Sequence, residues 1–589
     1  MNMENKYKIL LKGISASPGI AIGKVFHLRG DVIKIEERDL DESEIEQEIE
    51  KFKAAIEEAK ADLRKLTKQA SKKLGVGNAT IFDVHRMLLE DETIVGQTIE
   101  IIRSEQKNAD FIFFRQMNQF QKKMEQLNDE FFKERATDII DVKRRVLQLI
   151  QGERRGDYLA RLSTPHIIVA RELTPSDTIT LDRRKILAFA TDIGGRTSHA
   201  AIMARALEIP SVLGLKNISE LIAPNDRIIV DGNHGEVIIN PSPETLAKYR
   251  KLQGDYYDYE RKLTQIRELP CRTLDGKDIE LSANLEFPDE IESVISHGAK
   301  GIGLYRTEYL FLAREELPSE EEQFQAYDSV ASKIYPETVI IRTADLGGDK
   351  SPDSLKIPQE DNPFLGWRAI RICLKETVMF KAQLRAILRA SARGNVKIMF
   401  PMITTIEELD QCIQLLNEAK QELDSLKQSY NANIDIGTMI EVPSAAIMTD
   451  VLAKRVNFLS IGTNDLIQYT LAADRGNERI AYLYENVPPA VIRLIKQIVE
   501  AGHKRGVWVG MCGEMASDPM AIMILIGLGL DELSISPIAL PKIKQIIRSI
   551  KFSDAAHIAQ KIMQMENGAE IKKYMKKVMA KRFKNFPFI

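Results

Sequence analysis

The chain has 589 residues, 44% of them hydrophobic and 28% charged, with a formal net charge of −3. That composition supports three or four domains with sizeable cores, excludes wholesale disorder and removes any general electrostatic case for nucleic acid. Four scattered cysteines (Cys271, Cys373, Cys412, Cys512), none in a CxxC pair, argue against a disulfide framework or a structural zinc site. No signal-peptide core and no run of ~20 apolar residues is present, so a cytoplasmic, multidomain protein is expected.

Residues 7–27 read as two short strands around a Ser/Pro/Gly turn. Ile45, Ile49, Phe52, Ile56, Ala59, Leu63 and Leu66 then recur at alternating four- and three-residue steps, the seam of a long amphipathic helix. Ser43 and Glu46 suit a capping box at its start. Helical texture continues to about residue 150, so 36–150 is expected to be an all-α domain. Short strands follow: HIIVA, ILAFAT, SVLGL, RIIVD and EVIIN. They predict an α/β domain built from 151–243 and completed by 1–35, with the helical domain inserted. Residues 244–270 read as a linker helix. Over 271–589, eight strand candidates alternate with helical segments: DIELSANLE, GIGLYRTEYLF, TVIIRTADLGG, VKIMFPMI, DIGTMIEVP, VNFLSIGTNDL, WVGMCGE and ELSISP. Eight such units predict a (β/α)₈ barrel, with a doubly wound open sheet as the alternative. The basic C-terminus, KKYMKKVMAKRFKNFPFI, reads as a solvated helix and tail.

Barrel active sites lie at the C-terminal ends of the strands. Here those ends carry Arg306, Arg342, Glu441, Asn464, Asp465 and Cys512, with Arg475 shortly after the sixth strand. Any one of these could be a loop salt bridge; several at one mouth point to a site. The arginines are fixed-charge forks suited to phosphate or carboxylate. Glu441 and Asp465, on adjacent strands, are hard oxygen ligands, and two carboxylates completed by substrate and water describe a Mg²⁺ site better than a zinc site. Cys512 suits a proton donor or nucleophile and equally a buried packing cysteine. The mouth reads as a site for a small, doubly anionic, phosphorylated substrate.

A second segment, TDIGGRTSHAAIMAR, runs a strand into a Gly-Gly turn and a small-residue helix. Thr197 or Ser198 is a natural N-cap. His199 then falls in the first helical turn, where free N–H groups and the helix dipole favour an anion beside the imidazole. That suits a histidine that becomes phosphorylated. It also suits a histidine that merely caps or packs.

GGRTSHAAIMAR with the upstream LTPSDT resembles the phosphohistidine domain of phosphoenolpyruvate-utilising enzymes. GIGLYRTEYLFL, IIRTADLGGDK, NPFLGWRAIRI, MIEVPSAA, FLSIGTNDLIQYTLAADRGN and GMCGEMASDP, together with GISASPGIAIGKVF, resemble Enzyme I of the sugar phosphotransferase system over nearly the whole chain. Pyruvate phosphate dikinase and phosphoenolpyruvate synthase need an ATP-grasp domain for which there is no room, and the nitrogen-branch paralogue carries an N-terminal sensor ahead of this segment. The resemblance implies that His199 takes the phosphoryl group of phosphoenolpyruvate and passes it to a histidine of the carrier protein HPr, docked on the helical domain. It implies Mg²⁺ on Glu441 and Asp465, and substrate held by Arg306, Arg342, Asn464, Asp465 and Arg475. It further implies Cys512 as proton donor to the enolate, Thr178 as a hydrogen-bond partner of His199, and a homodimer formed through the barrel. A nitrogen-branch phosphotransferase lacking its sensor, a non-enzymatic phosphoenolpyruvate-sensing regulator and an interaction scaffold are the competing readings.

Overall fold

The computed structural model describes residues 9–583 apart from 29–34, 75–81, 83–84, 127–129, 153–163, 175–176, 178–182, 196–197, 224–225, 313–315, 349–354, 356, 359, 476, 478 and 485–486. It divides into two compact units, 1–258 and 259–587.

The first unit contains an eight-stranded sheet. Three strands, β1 (Ile9–Lys12), β2 (Ile14–Ser17) and β3 (Ile20–Leu28), replace the two expected at the N-terminus. The break falls at Gly13, where a Cβ would lie 2.5 Å from the Leu213 carbonyl oxygen, so only glycine lets the chain turn this close. The break sends β1 and β2 to opposite edges of the sheet. The remaining strands are β4 (His166–Ala170), β5 (Ile186–Thr191), β6 (Ser211–Leu213), β7 (Arg227–Asp231) and β8 (Glu236–Ile239). The order is β1-β8-β7-β3-β4-β5-β6-β2, with β3 to β6 parallel.

Between β3 and β4 lie the helices α1 (Ile45–Leu74), α2 (Glu92–Glu105), α3 (Ala109–Gln126) and α4 (Glu130–Ile150). All seven seam residues predicted for α1 are buried, packed with Phe82, Phe113, Val142 and Val146. The capping box takes a different form. The helix begins at Ile45, Glu44 Oε2 accepts from the Asp41 N–H at 3.0 Å, and Glu46 pairs with Arg103 at 3.0 Å. A long-range ion pair thus takes the carboxylate that the local box would have used.

A short helix, α5 (His199–Ala206), packs on the sheet through Ala200, Ala201 and Ala204, whose small side chains let it approach closely. After β8 a long helix, α6 (Pro243–Ile266), packs Leu246, Tyr249 and Leu252 against Ile20, Ile229 and Ile238.

In the second unit all eight predicted strand segments form strands: β9 (Glu280–Leu285), β10 (Ile302–Tyr305), β11 (Val339–Arg342), β12 (Val396–Phe400), β13 (Ile436–Ile440), β14 (Phe458–Ile461), β15 (Trp508–Met511) and β16 (Glu532–Ile535). They are parallel in sequence order and β16 pairs with β9, so the sheet is a closed barrel and not the open alternative. One strand face packs outward on the helices. The other fills the interior with Leu304, Ile340, Met399, Met439, Phe458 and Trp508. The basic C-terminal helix, α7 (Gly568–Arg582), is not simply solvated: Ile571, Met575 and Met579 on one of its faces join the barrel's outer core.

The barrel interior also holds a buried carboxyl, Glu532. Gly303 and Gly510 make room for it, since a Cβ on either would come within 2.4 or 2.5 Å of its oxygens. Its Oε2 has no hydrogen-bond partner, and burial, reinforced by Glu280, pushes its pKa up to about 8. An unfolded glutamate titrates near ~4.3. Between these values the native state holds a proton that the unfolded state releases, so this group's contribution to stability falls as pH rises through the window. Glu532→Gln removes that slope. In thermal melts the variant gains on the wild type from pH 5 to pH 9, by an amount on the order of a few kcal/mol; parallel curves would refute the buried proton.

Candidate active site

Strand residues alternate between faces, so a residue two positions beyond an interior packing residue also faces the interior, one step nearer the mouth. Leu304 leads to Arg306, Ile340 to Arg342, Met439 to Glu441, and Gly510 to Cys512. The barrel's own packing register therefore turns these four side chains towards one opening. Burial of Cys512 pushes its thiol up to about 11, with Glu441, Arg342 and Arg306 all close enough to act on its charge. Its Sγ lies 3.8 Å from the Ile461 carbonyl oxygen.

A chain of buried charges runs across the opening. Arg342 pairs with Glu308 at 2.9 Å and with Asp345 at 3.2 Å. Asp345 also accepts from Arg368, Oδ1 from Nε at 3.0 Å and Oδ2 from Nη2 at 3.2 Å. Arg368 in turn reaches both oxygens of Asp465, from Nη1 at 3.2 Å and Nη2 at 3.1 Å. Burial works against the charge of both arginines, but the adjacent carboxylates outweigh it and hold them ionised. Glu441 completes the set. Burial first, then Asp465 and Asp345, push its carboxyl well above the usual range, partly offset by Arg342 and Arg368. Its Oε1 accepts from the Met402 N–H at 2.6 Å, and Met402 takes a left-handed φ of 54° to present that donor. Gly462 leaves space for the other oxygen; a Cβ there would lie 2.7 Å from Oε2.

These six groups are four carboxylates and two guanidinia, a formal −2 when all are ionised. Among the described residues, no three His, Cys, Asp or Glu side chains form a ready-made metal cage. Two all-oxygen ligands with unmet negative charge nevertheless fit a hard divalent cation that takes its remaining ligands from substrate and water. The same mouth has donors to spare for an anion: Nε of Arg306 and Nε of Arg342 are buried without a hydrogen-bond partner.

The other predicted residues lie less centrally. Asn464 is partly exposed, its amide engaged by Glu514 through Oδ1 (3.0 Å, from the Glu514 N–H) and Nδ2 (3.3 Å, to Oε1). Arg475 is exposed, its N–H donating to Gln468 Oε1 at 3.1 Å. Thr178 falls outside the described residues, and of His199 only the backbone is described. His199 opens helix α5; Ser198 is the N-cap and accepts from the Ala201 N–H at 3.4 Å, while Gly194 turns the preceding loop with φ of 131°. The sequence reading missed Arg368, Asp345 and Glu308. Their signal was present, in NPFLGWRAIRI and in the RTE and RTADLGG strand ends.

Residues 260–552 match the family model for the phosphoenolpyruvate-binding domain of PEP-utilising enzymes, 12–135 that for their N-terminal domain and 162–235 that for their mobile domain. Barrel, charge cluster and matched domains together define a PEP-utilising enzyme. The chain is 44% identical to the phosphoenolpyruvate-protein phosphotransferase of Bacillus sp. (strain S), over 97% of this chain and 98% of the other, and 44% identical to that of Bacillus subtilis (strain 168), over 96% and 99%. An NMR solution structure of an Enzyme I protein is 41% identical over 42% of this chain and 99% of its own, with a TM-score of 0.37. The chain belongs to the Enzyme I family, the phosphoenolpyruvate-protein phosphotransferases of the sugar phosphotransferase system.

The charge chain makes a direct prediction. Asp345→Asn withdraws the carboxylate shared by two buried guanidinia. It is expected to lower unfolding free energy by about 3–5 kcal/mol in urea titrations; a loss below about 1 kcal/mol would show that the pairs carry little.

Proposed function

We propose that this chain moves the phosphoryl group of phosphoenolpyruvate first to its own His199 and then to a histidine of HPr. The observation that carries the proposal is the barrel mouth, where unpartnered guanidinium donors, a carboxylate pair and a protonated thiol meet. Phosphoryl transfer asks mainly for positioning and charge neutralisation, and this set provides both. Arg306 and Arg342 bind the substrate's phosphate and carboxylate, with Asn464, Asp465 and Arg475 contributing at the rim. Glu441 and Asp465 are the residues that would hold Mg²⁺, which when bound neutralises charge on the substrate oxygens.

An imidazole nitrogen of His199 attacks phosphorus, the bond to the enol oxygen breaks, and the enolate of pyruvate remains. Cys512 gives its proton to the methylene carbon, and the thiolate is later reprotonated from solvent. A thiol whose pKa is raised to about 11 holds that proton at neutral pH, as a donor must. Thr178 orients His199 in this scheme. The discontinuous α/β domain (1–35 with 151–243) carries the histidine as a mobile body between the barrel (271–589) and the helical domain (36–150), with 244–270 as the link. HPr docks on the helical domain, where Phe111, Phe114, Arg115 and Lys122 line an open cleft on α3. Dimerisation through the barrel and a cytoplasmic location complete the proposal. In support of the latter, all four cysteines are free thiols, and among the described residues no helix is long and apolar enough to cross a membrane.

Incubation with phosphate-labelled phosphoenolpyruvate and Mg²⁺ is expected to label the wild type, but not His199→Ala, and the label is expected to leave on addition of HPr. A labelled His199→Ala protein would refute the assignment. Cys512→Ala is expected to bind phosphoenolpyruvate but to form pyruvate at least ~100-fold more slowly, the usual worth of a positioned proton donor. Pyruvate formation at the wild-type rate would remove Cys512 from the mechanism.

A further inference from the structure

Arg306, Arg342 and Arg368 at the barrel mouth differ in one respect, the number of donors they have left. Arg306 and Arg342 each keep a buried Nε with no partner. Arg368 has none to spare. A guanidinium carries five N–H donors. Here Nε goes to Asp345, Nη1 to Asp465 and to the Tyr469 hydroxyl (3.1 Å), and Nη2 to Asp345 and Asp465. A saturated guanidinium has nothing to offer a substrate phosphate.

It is also fixed on every side. The Phe364 ring lies 5.6 Å from its centre, and Tyr469, which accepts from Arg368, donates in turn to the Phe364 carbonyl at 2.5 Å. Glu360 accepts from the neighbouring Trp367 N–H at 2.8 Å. Gly347 packs so closely on this segment that a Cβ there would lie 2.4 Å from the Trp367 carbonyl oxygen. The next residue, Ala369, is held at φ 51°, ψ −121°, a conformation that persists only where the surroundings impose it.

What this rigid fork holds is Asp465. Each oxygen of that carboxylate accepts one Arg368 donor, which sets the rotation of the group while leaving lone pairs on both oxygens. We propose that Arg368 is the positioning residue of the cation site: it binds no substrate, and instead clamps Asp465, through the shared anchor Asp345, in the orientation from which it ligates a divalent cation. The inference rests on Glu441 and Asp465 being the cation ligands. Partners that orient a metal ligand commonly account for 10–100-fold in metal affinity.

The test is Mn²⁺ binding to the full chain without phosphoenolpyruvate, followed by electron paramagnetic resonance, since Mn²⁺ accepts the same oxygen ligands. Wild type is expected to bind, and Glu441→Gln to lose the site. Arg368→Lys keeps the charge but cannot fork two carboxylates, and is expected to bind 10–100-fold more weakly with an altered spectrum. Arg368→Gln is expected to bind more weakly as well. A purely structural strut would move the melting temperature and leave Mn²⁺ affinity unchanged, so either variant binding within about twofold of wild type overturns the proposal. If Arg368→Gln does not fold, Arg368→Lys decides alone. No Mn²⁺ site in the wild type, or an intact one in Glu441→Gln, overturns the ligand assignment and this inference together; loss in Glu441→Gln with normal affinity in Arg368→Lys overturns only the inference.

Discussion

Closing eight parallel strands into a ring leaves each strand one face for the interior and one for the helices, and most of what the barrel does follows from that constraint. The interior column of each strand runs from base to mouth in steps of two residues. Below the mouth the interior columns hold methionines, aromatics and the buried Glu532 beside two glycines, and at the top they hold arginine, glutamate and cysteine. Only the top step is free of the packing requirement. A one-residue slip in β11 or β13 would turn Arg342 or Glu441 towards the helices and a core residue towards the mouth, so the placement of these side chains and the packing of the core depend on the same alternation.

Concentrating charge at that mouth has an energetic consequence. Isolated ions in a site this dry would neutralise themselves by shifting their pKa. The chain Glu308–Arg342–Asp345–Arg368–Asp465 avoids this by alternating sign along its length. Glu441 stands beside the chain and not within it, and burial, reinforced by Asp465 and Asp345, drives its carboxyl well above its ordinary range. The group least compensated by protein charge is the one with the most to gain from a cation.

Much of this was legible in the amino-acid order, because strands and mouth residues obey local rules. All eight barrel segments were readable from apolar runs ending in polar text, and the seam of α1 from its helical period. What escaped depended on distant partners. Arg368 lies well beyond the end of β11, at the start of a short helix, and only the folded loop brings it to Asp345 and Asp465. The break at Gly13 depends on Leu213, the capping of α1 was displaced by Arg103, and the C-terminal helix found an apolar groove that its lysine-rich text obscured. In each case a contact far along the chain overrode a reasonable local preference.

The division of labour among the arginines follows from the same accounting of donors. A guanidinium that must grip a substrate needs N–H groups left over after its structural bonds are made, and one that must hold a ligand still needs none left over. Arg342 stands between these cases, tied to two carboxylates yet keeping Nε free. In the proposed function it can therefore keep its place in the charge chain while Nε meets the substrate, so that substrate binding would break no ion pair and add no reorganisation cost at the moment of reaction.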